Sequence, residues 1–528
     1  MTHLTIPANT PLTPLDKHWQ FCVGSGHAGL ALRADYGRLL KQAHEELGME
    51  RVRFHGIFGS AMHTMHSLRD ILPLPGAKKY VETSFRTCGL AYDNVLAAGM
   101  KPFVELGFMP PLLAKRNSKS LMFYKPNISL PKDYGTWARY IQAFIRFLQQ
   151  RYGEKEIRTW FFEVWNEPDL RIVFFRGSQS DYFKLYEVTV RAIKEIDPEI
   201  RVGGPSTSNS TWVAEFVEFC GENNVPVDFV STHQYSGDAI GIVKDANEIQ
   251  EQSVSIPKLV LDKLRNGLKC APRDAILPAY RRFMGDETED KDLPAHVFRT
   301  NAPIAKQRAK GLPLYYTEWN LSATFSAYSN DTRKAASYVL KTCLALEGVV
   351  DGTSLWVFSD IFEELHPFPE EFHGGFGLMT QGGVKKPAFH GMKMLADAGP
   401  ARYELPGALD GEIAMAAFRG ETETQVLLIR QKMKNLFELP KEQAQVEIEL
   451  AHEPQRVYLQ RIDETHCNPL KLWEAMGSPQ VPTPAQLAQL QTKSAMIDEE
   501  LPCEWQEGKL SFQVALGVND VYFVRVVR

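Results

Sequence analysis

Along the first three quarters of the chain, short apolar runs that stop at a polar residue alternate with longer stretches whose apolar positions recur every three or four residues. The runs read as strands: F-C-V-G-S-G ending at Gly26, R-V-R-F-H-G at 51–56, K-P-F-V-E-L-G at 101–107, W-F-F-E-V-W-N-E-P at 160–168, R-V-G-G-P-S at 201–206, F-V-S-T-H-Q-Y at 229–235, L-P-L-Y-Y-T-E-W-N at 312–320 and T-S-L-W-V-F-S-D at 353–360. Helical periodicity falls between them near 32–47, 80–99, 133–150 and 180–196, and a last helix is expected near 386–397. Eight strand-then-helix units predict an α/β fold closed as a (β/α)₈ TIM barrel over residues 16–400. From about residue 402 the period drops to two, in stretches at 412–418, 424–430, 446–450 and the closing V-Y-F-V-R-V-V. This predicts an appended C-terminal β-sandwich over 401–528, interrupted by a helical insert at about 463–497, with residues 1–15 as candidates to join it. The connection at 237–311 is long, and its D-E-T-E-D-K-D run at 286–292 reads as a solvated loop tip.

A barrel of this kind builds its site at the C-terminal ends of its strands. Here those ends carry His55, Glu105, Asn166, Glu167, His233, Tyr235, Glu318 and Asp360. Each alone reads as a solvated loop residue, but eight in phase are expected to converge on one cleft. In W-F-F-E-V-W-N-E-P the acid stands against an aromatic wall, where loss of water raises a carboxyl's pKa and suits it to general acid work. Glu167 and Glu318, on the fourth and seventh strands, are positioned to face each other. Hydrolysis of a glycosidic bond needs such a pair, one protonated toward the leaving oxygen and one ionised. Carboxyl groups about 5–5.5 Å apart give retention through a covalent glycosyl-enzyme, and about 6.5–9.5 Å gives inversion.

Composition narrows the field by exclusion. Over 528 residues, 59 Lys+Arg against 64 Asp+Glu leave a net charge of −5, which gives no reason to expect nucleic acid or an anionic membrane as partner. No stretch approaches the roughly 18 apolar residues of a membrane span, and the N-terminus lacks the pattern of a secretory signal. Cys22, Cys88, Cys220, Cys270, Cys343, Cys467 and Cys503 are scattered, with no metal-binding spacing, and read as free thiols in a cytoplasmic protein. No metal and no cofactor is expected. Gly24, Gly26 and Gly29 do form G-x-G-x-x-G between a strand and a helix, the pattern of a dinucleotide-binding turn. The next strand, however, ends in His55 rather than in the acid a ribose needs, which favours glycines that let the first turn approach a pocket.

Trp165-Asn166-Glu167-Pro168 and Tyr316-Thr317-Glu318-Trp319-Asn320 resemble the acid/base and nucleophile motifs of retaining glycosidases with catalytic glutamates on the fourth and seventh strands. V-G-S-G-H-A, R-F-H-G, S-T-H-Q-Y-S-G-D at 231–238, L-W-V-F-S-D-I-F-E-E at 355–364, F-H-G-G-F-G-L at 372–378, R-I-D-E-T-H-C-N-P at 461–469 and M-G-S-P at 476–479 narrow the likeness to the bacterial β-xylosidase branch of glycoside hydrolase family 39. The resemblance implies Glu167 as acid/base and Glu318 as nucleophile, with Asn166 on the sugar's 2-hydroxyl. It implies further that His55, His233, Tyr235, Trp356, Glu363 and Glu364 line the subsite for the non-reducing sugar, the histidines and tyrosine as neutral donors. It also implies an exo-acting enzyme on an oligosaccharide or glycoside, assembled as a tetramer. One departure stands out: where such xylosidases usually carry a pair of aspartates before a Met, this chain has Gly59-Ser60-Ala61-Met62. That leaves β-galactosidase, β-glucosidase and α-L-arabinosidase activity open beside β-xylosidase. Outside the hydrolases, the open readings are a non-catalytic carbohydrate-binding barrel and an NAD-linked oxidoreductase.

Overall fold

The structure, a computed structural model, describes residues 2–238 and 296–528 apart from 73, 78, 79, 172, 324–326, 365–367 and 435–437. Most of the 237–311 connection, its acidic run and Cys270 lie outside the described residues. Eight parallel strands close into a barrel: β1 (Cys22–His27), β2 (Arg51–His55), β3 (Lys101–Glu105), β4 (Phe161–Glu163), β5 (Arg201–Thr207), β6 (Phe229–Tyr235), β7 (Leu314–Asn320) and β8 (Gly352–Leu355), with β8 pairing back to β1. Each is followed by its helix: α1 (Ala34–Leu47), α2 (Arg86–Ala97), α3 (Tyr134–Tyr152), α4 (Gln179–Lys194), α5 (Val213–Glu222), α6 (Val297–Arg308), α7 (Arg333–Leu346) and α8 (Pro387–Asp397). Starts are set by local chemistry. Asp133 accepts from the Thr136 amide at 2.7 Å ahead of α3, and Ser178 and Asp181 form a reciprocal capping box on α4.

The barrel interior is layered by the two-residue period of its strands. Phe103, Phe161 and Phe229, with Phe21 and Tyr315 packed against them, plug the base, and the guanidinium groups of Arg51 and Arg201 lie 4.5 Å over Phe21 and 4.6 Å over Phe161. Two residues further along β2, β3, β4 and β7 the inward positions turn polar, as Arg53, Glu105, Glu163 and Thr317, all buried. This charged floor supports the site above it.

Two strands are shorter than the apolar pattern predicts. The ladder of β4 ends at Glu163, although Val164 and Trp165 remain fully buried; Glu167 therefore sits in the turn beyond the strand. β8 ends at Leu355, and Asp360 lies on irregular chain beyond it.

From residue 401 onward the strands are mainly antiparallel. Thr2–Ile6 pairs in parallel with Glu442–Glu449, and Leu12–Pro14 pairs with Ala401–Tyr403, so the first residues belong to the same two sheets as the last. Helices Pro469–Ala475 and Pro484–Lys493 interrupt this region, each with a proline in its first turn, where its missing amide costs nothing. Leu470, Trp473 and Leu490 pack on Phe372 and Val384, which ties the insert to the segment between β8 and α8.

Candidate active site

Arg53, which the sequence reading did not single out, is the hub of the cleft. It is fully buried, and each nitrogen of its guanidinium has a partner. Nε donates to Glu163 at 2.7 Å, Nη1 to Glu318 at 2.8 Å, and Nη2 to Asn166 Oδ1 at 2.7 Å, with Ser206 Oγ at 3.2 Å and Glu105 also 3.2 Å away. Burial works against its charge, but the carboxylates of Glu163, Glu105 and Glu318 outweigh that and hold the proton. The signal was available: Arg53 is two residues before His55 on a strand, hence on the same inward face. Glu163, also missed, is two residues after inward-facing Phe161 on β4 and accepts from Thr317 at 2.7 Å.

Glu318 lies on β7 two residues before its end, paired with His233 on β6 just past a register shift in the ladder. Besides Arg53, its carboxylate receives the Tyr235 hydroxyl at 3.1 Å, and His55 Nε2 lies 3.5 Å away. Glu167 is held differently. Trp165 and Glu167 both have positive φ, 74° and 40°, a left-handed conformation costing an L residue about 1–2 kcal/mol. The Glu167 amide donates to the Ser206 carbonyl at 2.8 Å, and the Trp165 indole donates to the Phe174 carbonyl at 2.9 Å, so buried hydrogen bonds fix the turn. Two residues on, Asp169 receives the Ser208 amide at 3.0 Å, the Ser208 hydroxyl at 2.5 Å and the Thr211 hydroxyl at 3.0 Å. The Glu167 carboxyl lies 2.9 Å from His233 Nδ1.

An oxygen of Glu167, an oxygen of Glu318 and a ring nitrogen of His233 all lie within 4.8 Å of one another. That range also suits a cation, but here the positive charge is already supplied beside Glu318 by Arg53 and His55. So near an approach of an oxygen of one carboxyl to an oxygen of the other is in keeping with the closer, retaining arrangement of such pairs.

Burial pushes the Glu167 carboxyl well above its usual range, and the neighbouring charges of Glu318 and Asp169 push the same way. Burial acts on Glu318 as well, but Arg53 and His55 oppose it, so of the two the proton rests on Glu167. Burial also keeps His233 neutral, reinforced by Arg53 and His55. His55 departs from the expectation of a neutral donor. Burial opposes its charge, yet Glu105, whose carboxylate is 2.5 Å from Nδ1, together with Glu364 and Glu318 lifts the imidazole to about 9. It is an imidazolium at neutral pH.

The remaining predicted residues separate into those inside and those at the rim. Trp356 is buried with its ring 4.8 Å from that of His55. A Cβ on Gly24 would lie 2.3 Å from its ring, and one on Gly26 would lie 2.2 Å from the Phe362 carbonyl. The two glycines thus let β1 close against the segment carrying Trp356. Glu364 faces inward, 3.2 Å from His55 Nε2, and burial pushes its carboxyl up to about 8. Glu363 stands at the rim, 29% exposed, and pairs with Arg33 at 2.6 Å. Asp360 does not join the cleft: it is buried beside Lys386 at 2.6 Å, with Asp331 on the same ammonium, a closed ion cluster that anchors α8.

The family model for glycosyl hydrolases family 39 matches residues 2–281 and 286–508. The chain belongs to this family. It is 34% identical to a β-xylosidase of Caldicellulosiruptor saccharolyticus, over 99% of this chain and 98% of that one, and 30% identical to a β-xylosidase of Geobacillus stearothermophilus, over 97% and 92%. A crystal structure of a monomeric β-xylosidase from Caulobacter crescentus CB15 superposes with a TM-score of 0.78 at 27% identity, covering 100% of this chain and 99% of that one. This family 39 chain is accordingly a glycoside hydrolase with a carbohydrate substrate. None of its helices, among the described residues, is long and apolar enough to cross a membrane.

Proposed function

We propose that the chain is an exo-acting β-xylosidase that works by double displacement, with Glu167 as acid/base and Glu318 as nucleophile. The observation that carries this reading is the close carboxyl pair with opposite surroundings: Glu318 held by Arg53, His55 and Tyr235, Glu167 beside neutral His233 and the charge of Asp169. In the first step Glu167 gives its proton to the leaving oxygen as the carboxylate of Glu318 attacks the anomeric carbon. Once Glu318 is esterified its charge is gone. The repulsion that kept the proton on Glu167 falls away, and the same residue becomes the base for the incoming water.

Asn166 suits the 2-hydroxyl, since Arg53 occupies its Oδ1 while its buried Nδ2 bonds nothing among the described residues. Trp356 offers an apolar face for the pyranose, and Glu364 rather than the Arg33-paired Glu363 serves as the inner carboxyl for its hydroxyls. A second reading, a β-galactosidase, β-glucosidase or α-L-arabinosidase, is favoured by the 59–61 turn. Ser60 and Ala61 are exposed there, and the turn itself carries no acid.

Hydrolysis of p-nitrophenyl β-D-xyloside followed by proton NMR tests the proposal. β-Xylose as the first-formed anomer is expected; α-xylose first, or no turnover, overturns it. A panel of nitrophenyl glycosides decides the second reading, which turnover confined to the xyloside removes.

A further inference from the structure

The β3–α3 connection, residues 106–133, crosses the mouth of the barrel and brings one side chain down among the site's carboxyls. The ring of Tyr124 is half-buried, and its hydroxyl is buried with no hydrogen-bond partner among the described residues. An unmade hydrogen bond at a buried hydroxyl is costly. Its ring is fixed from three sides. It stacks on His27 at the end of β1, 4.5 Å between centroids and 27° between planes. His27 is in register with His55 on β2, and burial lowers its imidazole to about 4, so the partner of the stack is neutral. A Cβ on Gly56, the residue after His55, would lie 3.8 Å from the Tyr124 ring. The preceding residue is tied to the opposite wall, where the Phe123 amide donates to the Glu364 carbonyl at 2.6 Å.

The hydroxyl therefore lies on the Glu364 side of the cleft. Beyond burial, the charges that bear on it are those of Glu364 first, then Glu105 and Glu318. Burial and these carboxyls keep the phenol protonated, hence a donor. Glu364 Oε1 is likewise buried and accepts no hydrogen bond among the described residues, with the His55 imidazole 3.2 Å away. A sugar hydroxyl is both donor and acceptor, so reading one requires one group of each kind, and a phenol beside a carboxyl provides the two.

We propose that Tyr124 is a specificity-determining residue whose hydroxyl, together with the Glu364 carboxyl, reads one sugar hydroxyl remote from the scissile bond, at C3 or C4 of the ring bound beside Glu318. The inference rests on the glycosidase reading above but assigns a residue from a loop that none of the recognised motifs contains.

The test is Tyr124→Phe, which removes only the unpartnered oxygen. It is run on the nitrophenyl glycoside the wild type hydrolyses best, and on the 3-deoxy and 4-deoxy analogues of that substrate. A fall in kcat/KM of about 10- to 100-fold on the parent is expected, as for a site left with unpaired polar groups. On the analogue that lacks the contacted hydroxyl, wild type and variant should come within about twofold of each other. The melting temperature without sugar should hold or rise, because no bond is lost in the free protein. A loss of the same size on every analogue, a melting temperature that falls, or activity unchanged on the parent each overturns the proposal. A wild type that hydrolyses no glycoside overturns the glycosidase reading and this inference together, whereas an active wild type with an indifferent variant overturns the inference alone.

Discussion

The two glutamates of the cleft differ in nearly everything except residue type. Glu318 is carried within a seven-residue strand laddered on both sides and is grasped by a buried arginine, a tyrosine hydroxyl and a nearby imidazolium. Glu167 hangs from a three-residue strand through a turn with two left-handed residues, beside a neutral histidine and an aspartate. The contrast is what double displacement requires. A nucleophile is best fixed and ionised, and an acid/base must hold a proton that it later gives up. Rigidity and positive charge serve the first. Desolvation and a neighbouring charge that the reaction itself cancels serve the second.

The largest effects should come from removing either partner, and they should differ in kind. Glu318→Ala is expected to lower kcat by ~10⁴-fold or more. Azide should rescue it in a single displacement, giving the azide of inverted configuration. Glu167→Ala is expected to cost ~10²–10⁴-fold on poor leaving groups and far less on dinitrophenyl glycosides, which depart without a proton. Azide should then give the retained product. The same azide anomer from both variants would erase the distinction between the two residues.

Arg53 sharpens the comparison from below. Arg53→Met takes the balancing cation from Glu163 and Glu318 and the donor from Asn166 Oδ1 in a dry barrel, and a loss of about 3–5 kcal/mol is expected in denaturant unfolding. Activity measured on the folded fraction should fall as well, because Glu318 then takes up a proton. A variant of native stability would show the floor to be incidental.

The surroundings of Glu167 set a smaller effect, read in pH. Ionised Asp169 raises the affinity of Glu167 for its proton, along with burial and Glu318, while Arg53 opposes. Asp169→Asn keeps an acceptor for the Ser208 amide but removes the charge. The pKa of Glu167 should then drop and the alkaline limb of kcat/KM should move to lower pH. An unmoved limb would make Asp169 only a clasp for the turn.

The smallest expected effect is a slope in stability. His55 is lifted from 6.5 to about 9 and Glu364 from 4.5 to about 8, so in both the folded state binds the proton more tightly. Their protonated forms favour folding fully below the unfolded values, and that contribution is lost as pH rises through the folded ones. The melting temperature should decline toward pH 9, and Glu364→Gln should flatten the decline. A steeper fall in that variant would contradict the assignment of the proton.

The barrel was legible because its strands are apolar runs that stop at polar residues, and this worked best where the run and the ladder end together, as at Tyr235 and Asn320. It failed at β4 and β8, because hydrophobicity reports burial and not pairing: Val164 and Trp165 are as buried as any strand residue without belonging to one. Asp360 was placed in the cleft by counting along a strand that had already ended. The same irregular backbone makes the choice between Glu363 and Glu364 invisible to any period. Arg53 and Glu163 went unnoticed because a charge within an apolar run reads as an interruption, although the two-residue period puts both inside the barrel. The unpartnered hydroxyl of Tyr124 depends on a loop fold that no local pattern specifies.

The central claim, that Glu318 and not Glu167 becomes covalently joined to the sugar, is open to one direct measurement. The protein is incubated with 2,4-dinitrophenyl 2-deoxy-2-fluoro-β-D-xyloside, in which fluorine slows release of the glycosyl-enzyme, and its peptides are mapped by mass spectrometry. The account predicts a single fluoroxylosyl adduct on the peptide containing Glu318, released as activity returns. An adduct on Glu167, or inactivation without any adduct on Glu318, would contradict it.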